Sequence, residues 1–170
     1  MKRRWLVPVL RLFGVAPMRL RHSIIGWSSP PFRVGTVGLI ADEAGRVLLV
    51  RHSYRPGWGF PGGMLGWRER PADTVVRELR EECGLAVRTA DSPLALVARD
   101  PRRVLLVYRL EVCRNAEAGQ ARPSSPEILE VGWFDPADMP PLSRPAARLL
   151  GILRERGLMT PAVPSSDPGV

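Results

Sequence analysis

The chain has 170 residues, enough for one domain with a proper core and too few for two comfortable ones. Apolar residues make up 45% and charged residues 25%, an ordinary balance for a soluble domain, and no run of about 18 apolar residues is available to span a bilayer. The formal charge of +8 comes almost wholly from arginine, Lys2 being the only lysine, and it narrows the partner to something anionic: a nucleotide, a nucleic acid or an acidic lipid.

Residues 1–32 form a basic and apolar N-terminal segment. Its opening, MKRRWLVPVLRLFGVAPMRLRH, has the charged start of a secretory signal, but Pro8 and Arg11 interrupt the apolar run and no small-x-small cleavage site follows. Trp5, Leu6, Val9, Leu10, Leu12 and Phe13 suit an arm packed on its own domain or on a partner copy better than a membrane-surface helix, which Pro8 would weaken. Cys83 and Cys113 make neither a metal pattern nor a disulfide framework, which points to a reducing compartment, the cytoplasm.

SSPPF, from Ser28 to Phe32, reads as a linker, so the domain is expected over residues 33–157. Val34–Ile40 and Arg46–Arg51 read as two strands paired through a hairpin turn at ADEAG. HSYRPGWGFPGG follows, with two prolines and four glycines in a dozen residues, and reads as a loop. A helix is predicted from Pro71, with Ala72, Val76, Leu79 and Cys83 as its apolar stripe and Gly84 as a left-handed stop.

PLALVARD, RVLLVYRLEV and EILEVGWF read as three further strands, the first two joined by a turn at DPRR. SRPAARLLGILRERG reads as a last helix, and residues 158–170 as a polar, proline-rich tail. Strands on both sides of a central helix, with a second helix at the end, predict an α/β fold whose mixed sheet is covered on both faces.

Positions i, i+3 and i+4 share a helix face, so Glu78, Glu81 and Glu82 are expected to cluster opposite the apolar stripe, facing outward. Like charges so close are stabilised by a hard cation, and carboxylate oxygens select Mg²⁺, Mn²⁺ or Ca²⁺ over softer metals. Magnesium commonly takes its remaining ligands from substrate phosphates. Taken alone, RELREE suits a solvated helix face, paired with Arg77 and Arg80, far better than a metal site.

The wider stretch reverses that balance. Gly63, Glu69, Arg77, Glu78, Leu79, Glu81, Glu82, Gly84 and Leu85 occupy every fixed position of G-x5-E-x7-R-E-U-x-E-E-x-G-U, U being aliphatic, and so the chain resembles the Nudix hydrolase family over roughly residues 33 to 157. WGFPGG before the box and EILEVGWFDPADMPPL after it are similar to the family's usual flanks. The resemblance implies a Nudix-type α/β/α sandwich with a mixed β-sheet between helices.

It also implies metal-assisted attack of water on the pyrophosphate of a nucleoside diphosphate linked to another moiety, with Mg²⁺, or Mn²⁺, as cofactor. Nucleoside triphosphates and ADP-ribose or nucleotide sugars are the two substrate classes it leaves open. Glu78, Glu81 and Glu82 would be metal ligands, joined by a backbone carbonyl at Gly62 or Gly63, with Gly63 taken first. Arg77 would orient the glutamates, most simply through Glu81, and Glu69 would support them. Glu127 is the candidate general base outside the box and Glu130 its understudy.

Arg51 is a candidate for substrate phosphate, and Trp58 and Phe60 for stacking, although aromatics beside a glycine loop more often pack a core. His52 has no evident partner. Pro101 resembles a marker of ADP-ribose-hydrolysing members but sits in an ordinary turn, and no counterpart of the motif that marks NADH-hydrolysing members follows the box. Many members pair, so the resemblance points to a homodimer. The alternatives are a Nudix module that binds nucleotide or RNA without turnover, which the complete box argues against, and an RNA 5′-end pyrophosphohydrolase using the arginine excess.

Overall fold

The computed structural model describes Pro17 and residues 32–98, 102–113 and 121–159. The expectations for the N-terminal arm, for the linker before Phe32, for Pro101 and for the tail from Thr160 lie outside the described residues. The chain divides after Phe32, and everything below concerns the unit that begins at Arg33.

In chain order the elements are β1 (Arg33–Ile40), β2 (Val47–His52), β3 (Trp58–Gly59), α1 (Pro71–Cys83), β4 (Val87–Thr89), β5 (Leu94–Ala98), β6 (Arg103–Val112), β7 (Ile128–Phe134) and α2 (Arg144–Glu155). They form two sheets rather than the single one expected. One has the order β1-β6-β4 with β5 also on β6, and the other has the order β3-β2-β7.

The hairpin predicted for the first two strands is not there. Its turn is: Asp42 accepts from the Ala44 and Arg46 amides at 3.0 and 2.8 Å. After a single bridge between Ala41 and Val47, however, β1 pairs parallel with β6 and β2 pairs antiparallel with β7. β2 buries Val47, Leu48, Leu49 and Val50 in succession, as a strand covered on both faces must.

Alternate residues feed two cores. Ile40, Leu48 and Val50 pack with Val75, Leu79 and Cys83 of α1, while Leu39, Val47 and Leu49 pack with Leu149, Leu150 and Leu153 of α2. This is the expected α/β/α arrangement, with mixed pairing between two helices. Packing runs past the expected boundary at residue 157, since Met159 is buried in the second core.

α1 starts at Pro71, whose missing N–H costs nothing in a first turn, and ends at Gly84, which takes φ 68° and ψ 15°. Its buried face carries Thr74, Val75, Leu79, Glu82 and Cys83, whereas Ala72 and Val76 are half-buried at its margin. The helix is therefore turned, by less than one residue step of about 100°, from the expected stripe. Leu79 is wholly buried, which stabilises the seat by about 1.5–3 kcal/mol. Burial also drives the Cys83 thiol far above its ordinary range, Glu82 adding to the effect. No helix among the described residues is long and apolar enough to cross a membrane.

Candidate active site

The glycine loop is stitched to β1. Pro61 O accepts from Gly38 N at 2.9 Å, Gly63 O from Thr36 N at 2.8 Å, and Val34 O from Leu65 N at 3.0 Å. Gly62 has φ 143°, and a Cβ there would stand 2.3 Å from Thr36 O, so only glycine fits. A Cβ on Gly63 would stand 2.1 Å from Glu78 Oε1. The double glycine thus leaves room for a helix carboxylate to lie against the backbone.

Glu82 is hydrogen-bonded to that loop. Its Oε2 accepts from Gly62 N at 2.9 Å and its Oε1 lies 3.3 Å from His52 Nε2. The expectation that it faces away from the core is wrong: Glu82 is only 7% exposed, because the turn of α1 tucks it beneath the loop. His52, expected to lack a partner, is 5% exposed and holds this carboxylate. The β2–β7 register shifts at this point, Arg51 opposing Glu130 and His52 opposing Ile128, and such a bulge re-aims the side chain beside it.

Arg77 is the hub of the other glutamates. Its guanidinium grips Glu69 in a fork, with Nε to Oε1 at 2.8 Å and Nη2 to Oε2 at 3.1 Å, and reaches Glu78 at 3.0 Å and Glu81 at 2.9 Å. The expected pair with Glu81 is present, and Glu69 and Glu78 are further partners. The bond from Arg77, with the Gly66 amide, holds the Glu69 carboxyl down to about 2. Burial pushes the Glu78 carboxyl up, Arg77 opposing and Glu82 and Glu81 adding to the rise.

Glu78 and Glu82 line one cleft of about 350 Å³. Glu81 does not join them: it is exposed, tied to Arg77 and faces a separate depression beside Asp73. Among the described residues no three carboxylates, imidazoles or thiols converge. The carboxylate pair nevertheless fits a hard divalent cation, since its donors are oxygens and a cation would offset the burial that raises Glu78 and the smaller repulsion from Glu82. Gly63 O faces β1 and also receives Thr36 Oγ1 at 3.4 Å, so of the two glycine carbonyls Gly62's is the one with no such bond among the described residues.

Glu127 lines the same cleft, its carbonyl fixed by Ser53 N at 2.8 Å. Glu130 is paired across the strands with Arg51, both side chains being exposed. Trp58 packs edge-on against Phe134 with ring centroids 4.7 Å apart, a core role, while Phe60 is buried yet reaches the cleft wall. Arg103, Ser143 and Tyr54 also line the cleft and were not picked out from the sequence. They come from three separate places in the chain and share no spacing that would have signalled them.

A family profile described as NUDIX domain matches residues 31–151. A MutT-like protein of Streptomyces ambofaciens is 33% identical over 115 residues, 66% of this chain and 70% of that protein. An RNA pyrophosphohydrolase of Pseudomonas aeruginosa is 42% identical over 57 residues, so the match spans 34% of this chain and only 36% of that protein. The crystal structure of an ADP-ribose pyrophosphatase from Streptococcus suis superposes with a TM-score of 0.61 at 26% identity, covering 75% of this chain and 92% of that one.

Proposed function

The chain belongs to the Nudix hydrolase family, and from that premise we propose that it is a metal-dependent pyrophosphatase of small nucleotides, hydrolysing the pyrophosphate bond of a nucleoside diphosphate linked to another moiety. The observation that carries this reading is the pairing of Glu78 and Glu82 in one cleft against the Gly62–Gly63 backbone. Nucleoside triphosphates and ADP-ribose or nucleotide sugars are the substrate classes, the second in keeping with the ADP-ribose pyrophosphatase of similar structure.

Glu78, Glu82 and the Gly62 carbonyl would hold Mg²⁺ or Mn²⁺, with Glu81 available once it leaves Arg77. When bound, the ion supplies a polarised water and neutralises phosphate charge. Gly62 N–H and His52 fix Glu82, so its second oxygen does not swing free. Arg77 restrains Glu78 and Glu81 while Glu69 restrains Arg77. Glu127 would take a proton from the attacking water, a role supported by its lining the cleft on a loop whose backbone is pinned.

The test is hydrolysis of nucleoside triphosphates, ADP-ribose, nucleotide sugars and triphosphorylated RNA, with and without Mg²⁺, read as phosphate or pyrophosphate release from the triphosphates and RNA and as nucleoside monophosphate formation from ADP-ribose and nucleotide sugars. Metal-dependent turnover of a small nucleotide supports the reading, whereas silence from folded protein that binds Mg²⁺ favours a binding module. Glu127→Gln should lower kcat by about 100-fold. Little change would place the base within the box.

A further inference from the structure

Among the described residues three aromatic rings line the cleft, those of His52, Tyr54 and Phe60. His52 and Phe60 are buried, whereas Tyr54 is 61% exposed. A large ring that borders a cavity and keeps most of its surface in water has apolar area that cover by a ligand would stabilise.

The exposure is built into the backbone. Ser53 N donates to Glu127 O at 2.8 Å, Trp58 N to Pro141 O at 2.9 Å, and Ser143 N to Trp58 O at 2.9 Å. Only Tyr54, Arg55, Pro56 and Gly57 run between these anchors. Pro56 has a fixed φ, and Gly57 takes φ 81°, where a Cβ would stand 2.7 Å from Ser143 N. The segment is a short bridge pinned at both ends. It displays Tyr54 directly after the residue tied to Glu127, another group that lines the cleft.

Arg55 lies over the same ring, its guanidinium carbon 5.3 Å from the centroid, and it has no ion-pair partner among the described residues. A close contact between flat groups is about 3.5 Å, so the pair is not tightly stacked, and a further ring between them needs about 7 Å. Arg55 is exposed, and rotation of its long side chain yields the missing ~2 Å. An aromatic face on one side and a guanidinium plane on the other are the surfaces on which unpaired bases stack. A phosphate group would use Arg55 but leave the Tyr54 face in water, and a sugar ring lacks the two flat faces that such a gap selects.

The position suits a base as well. The Tyr54 ring centroid is 5.2 Å from that of His52, and His52 touches Glu82. One side chain thus separates the exposed ring from the carboxylate, as one pentose separates base from phosphate in a nucleotide.

We propose that Tyr54 is the platform on which the substrate's nucleobase stacks and that Arg55 covers it, so that the cleft selects nucleotides over pyrophosphate compounds that carry no base. The inference rests on Glu78 and Glu82 marking the pyrophosphate end of the cleft.

Calorimetric titration with Mg²⁺ present, using α,β-methylene-ADP and the base-less methylenediphosphonate, tests it without turnover. The wild-type protein should bind the nucleotide analogue about 10-fold or more tightly than the diphosphonate. Tyr54→Ala, verified as folded by circular dichroism, should remove most of that preference, and Tyr54→Phe should keep it, since stacking needs the ring and not the hydroxyl. Tyr54 touches His52 and through it Glu82, so a merely structural effect would weaken both probes alike, whereas loss of a platform leaves the diphosphonate's affinity as in the wild type. Equal affinity for the two probes, binding of neither, an equal loss for both in Tyr54→Ala, a preference that Tyr54→Ala leaves intact, or a Tyr54→Phe variant as impaired as Tyr54→Ala overturns the proposal. Base-selective binding through Tyr54 without hydrolysis of any nucleotide would sink the hydrolase reading alone, and nucleotide hydrolysis whose KM Tyr54→Ala leaves unmoved would sink the platform alone.

Discussion

Glu82 couples stability to activity, and two substitutions separate them. Replacement by leucine removes the acceptor of the Gly62 amide at 2.9 Å and of His52 Nε2 at 3.3 Å, where little water can substitute. Each buried donor left unsatisfied costs about 1–3 kcal/mol. Burying the leucine offsets about 1.5–3 kcal/mol of that total. The two donors together cost about 4 kcal/mol at the middle of that range against about 2 regained, so Glu82→Leu should lose about 2 kcal/mol, a substantial share of the roughly 5–15 kcal/mol a domain possesses.

Glutamine at the same place keeps both contacts. Its amide oxygen serves Gly62, and its NH₂ can donate to His52 if the imidazole moves its proton to Nδ1. Glu82→Gln should lose under about 1 kcal/mol, while both variants lose metal-dependent hydrolysis by at least about 100-fold. Urea unfolding followed by tryptophan fluorescence, without added metal, reads the first quantity and phosphate release the second. A leucine variant as stable as wild type, or a glutamine variant as damaged as the leucine one, would refute the doubly bonded, buried carboxylate.

Two further outcomes follow from the same network. Arg77 holds the Glu69 carboxyl down to about 2, so this pairing stabilises the fold fully above the unfolded carboxyl's value, and the contribution is lost as pH falls toward 2. The urea midpoints of wild type and Glu69→Gln should differ at about pH 6, draw together below about pH 4.5 and meet only below about pH 2, and a gap unchanged with pH would refute the pairing. Gly63→Ala would drive a Cβ into Glu78, so the Mg²⁺ concentration for half-maximal hydrolysis should rise about 10-fold. An unchanged metal dependence would remove Glu78 from the metal site.

What could be read from the sequence was local. Pro71 and Gly84 delimit α1 by backbone chemistry that needs no tertiary partner, and the spacing from Gly63 to Leu85 carries the family. The turn at Asp42 was equally legible, but its strands were not, because β1 finds its partner in β6, far along the chain. Apolar periodicity also misplaced the seat of α1, since it counts a glutamate as outward-facing and Glu82 is buried by two hydrogen bonds. Arg51 illustrates the same limit: its pairing with Glu130 follows from strand register. His52, Arg103 and Ser143 became visible only when three elements met around one cavity.

The parallel pairing of β1 with β6 sets an order of events during synthesis. Glu78 and Glu82 leave the ribosome well before Arg103–Val112, and a 13-residue helix alone is marginal in water. Until β6 arrives, β1 lacks its neighbour, and the loop that lies against Thr36 has no finished sheet to rest on. The carboxylates are thus carried for a time as an ordinary acidic stretch on a nascent chain. They become a site only when a long-range crossover closes, so the chain acquires its chemistry at a late step of folding, with its slowest class of contact.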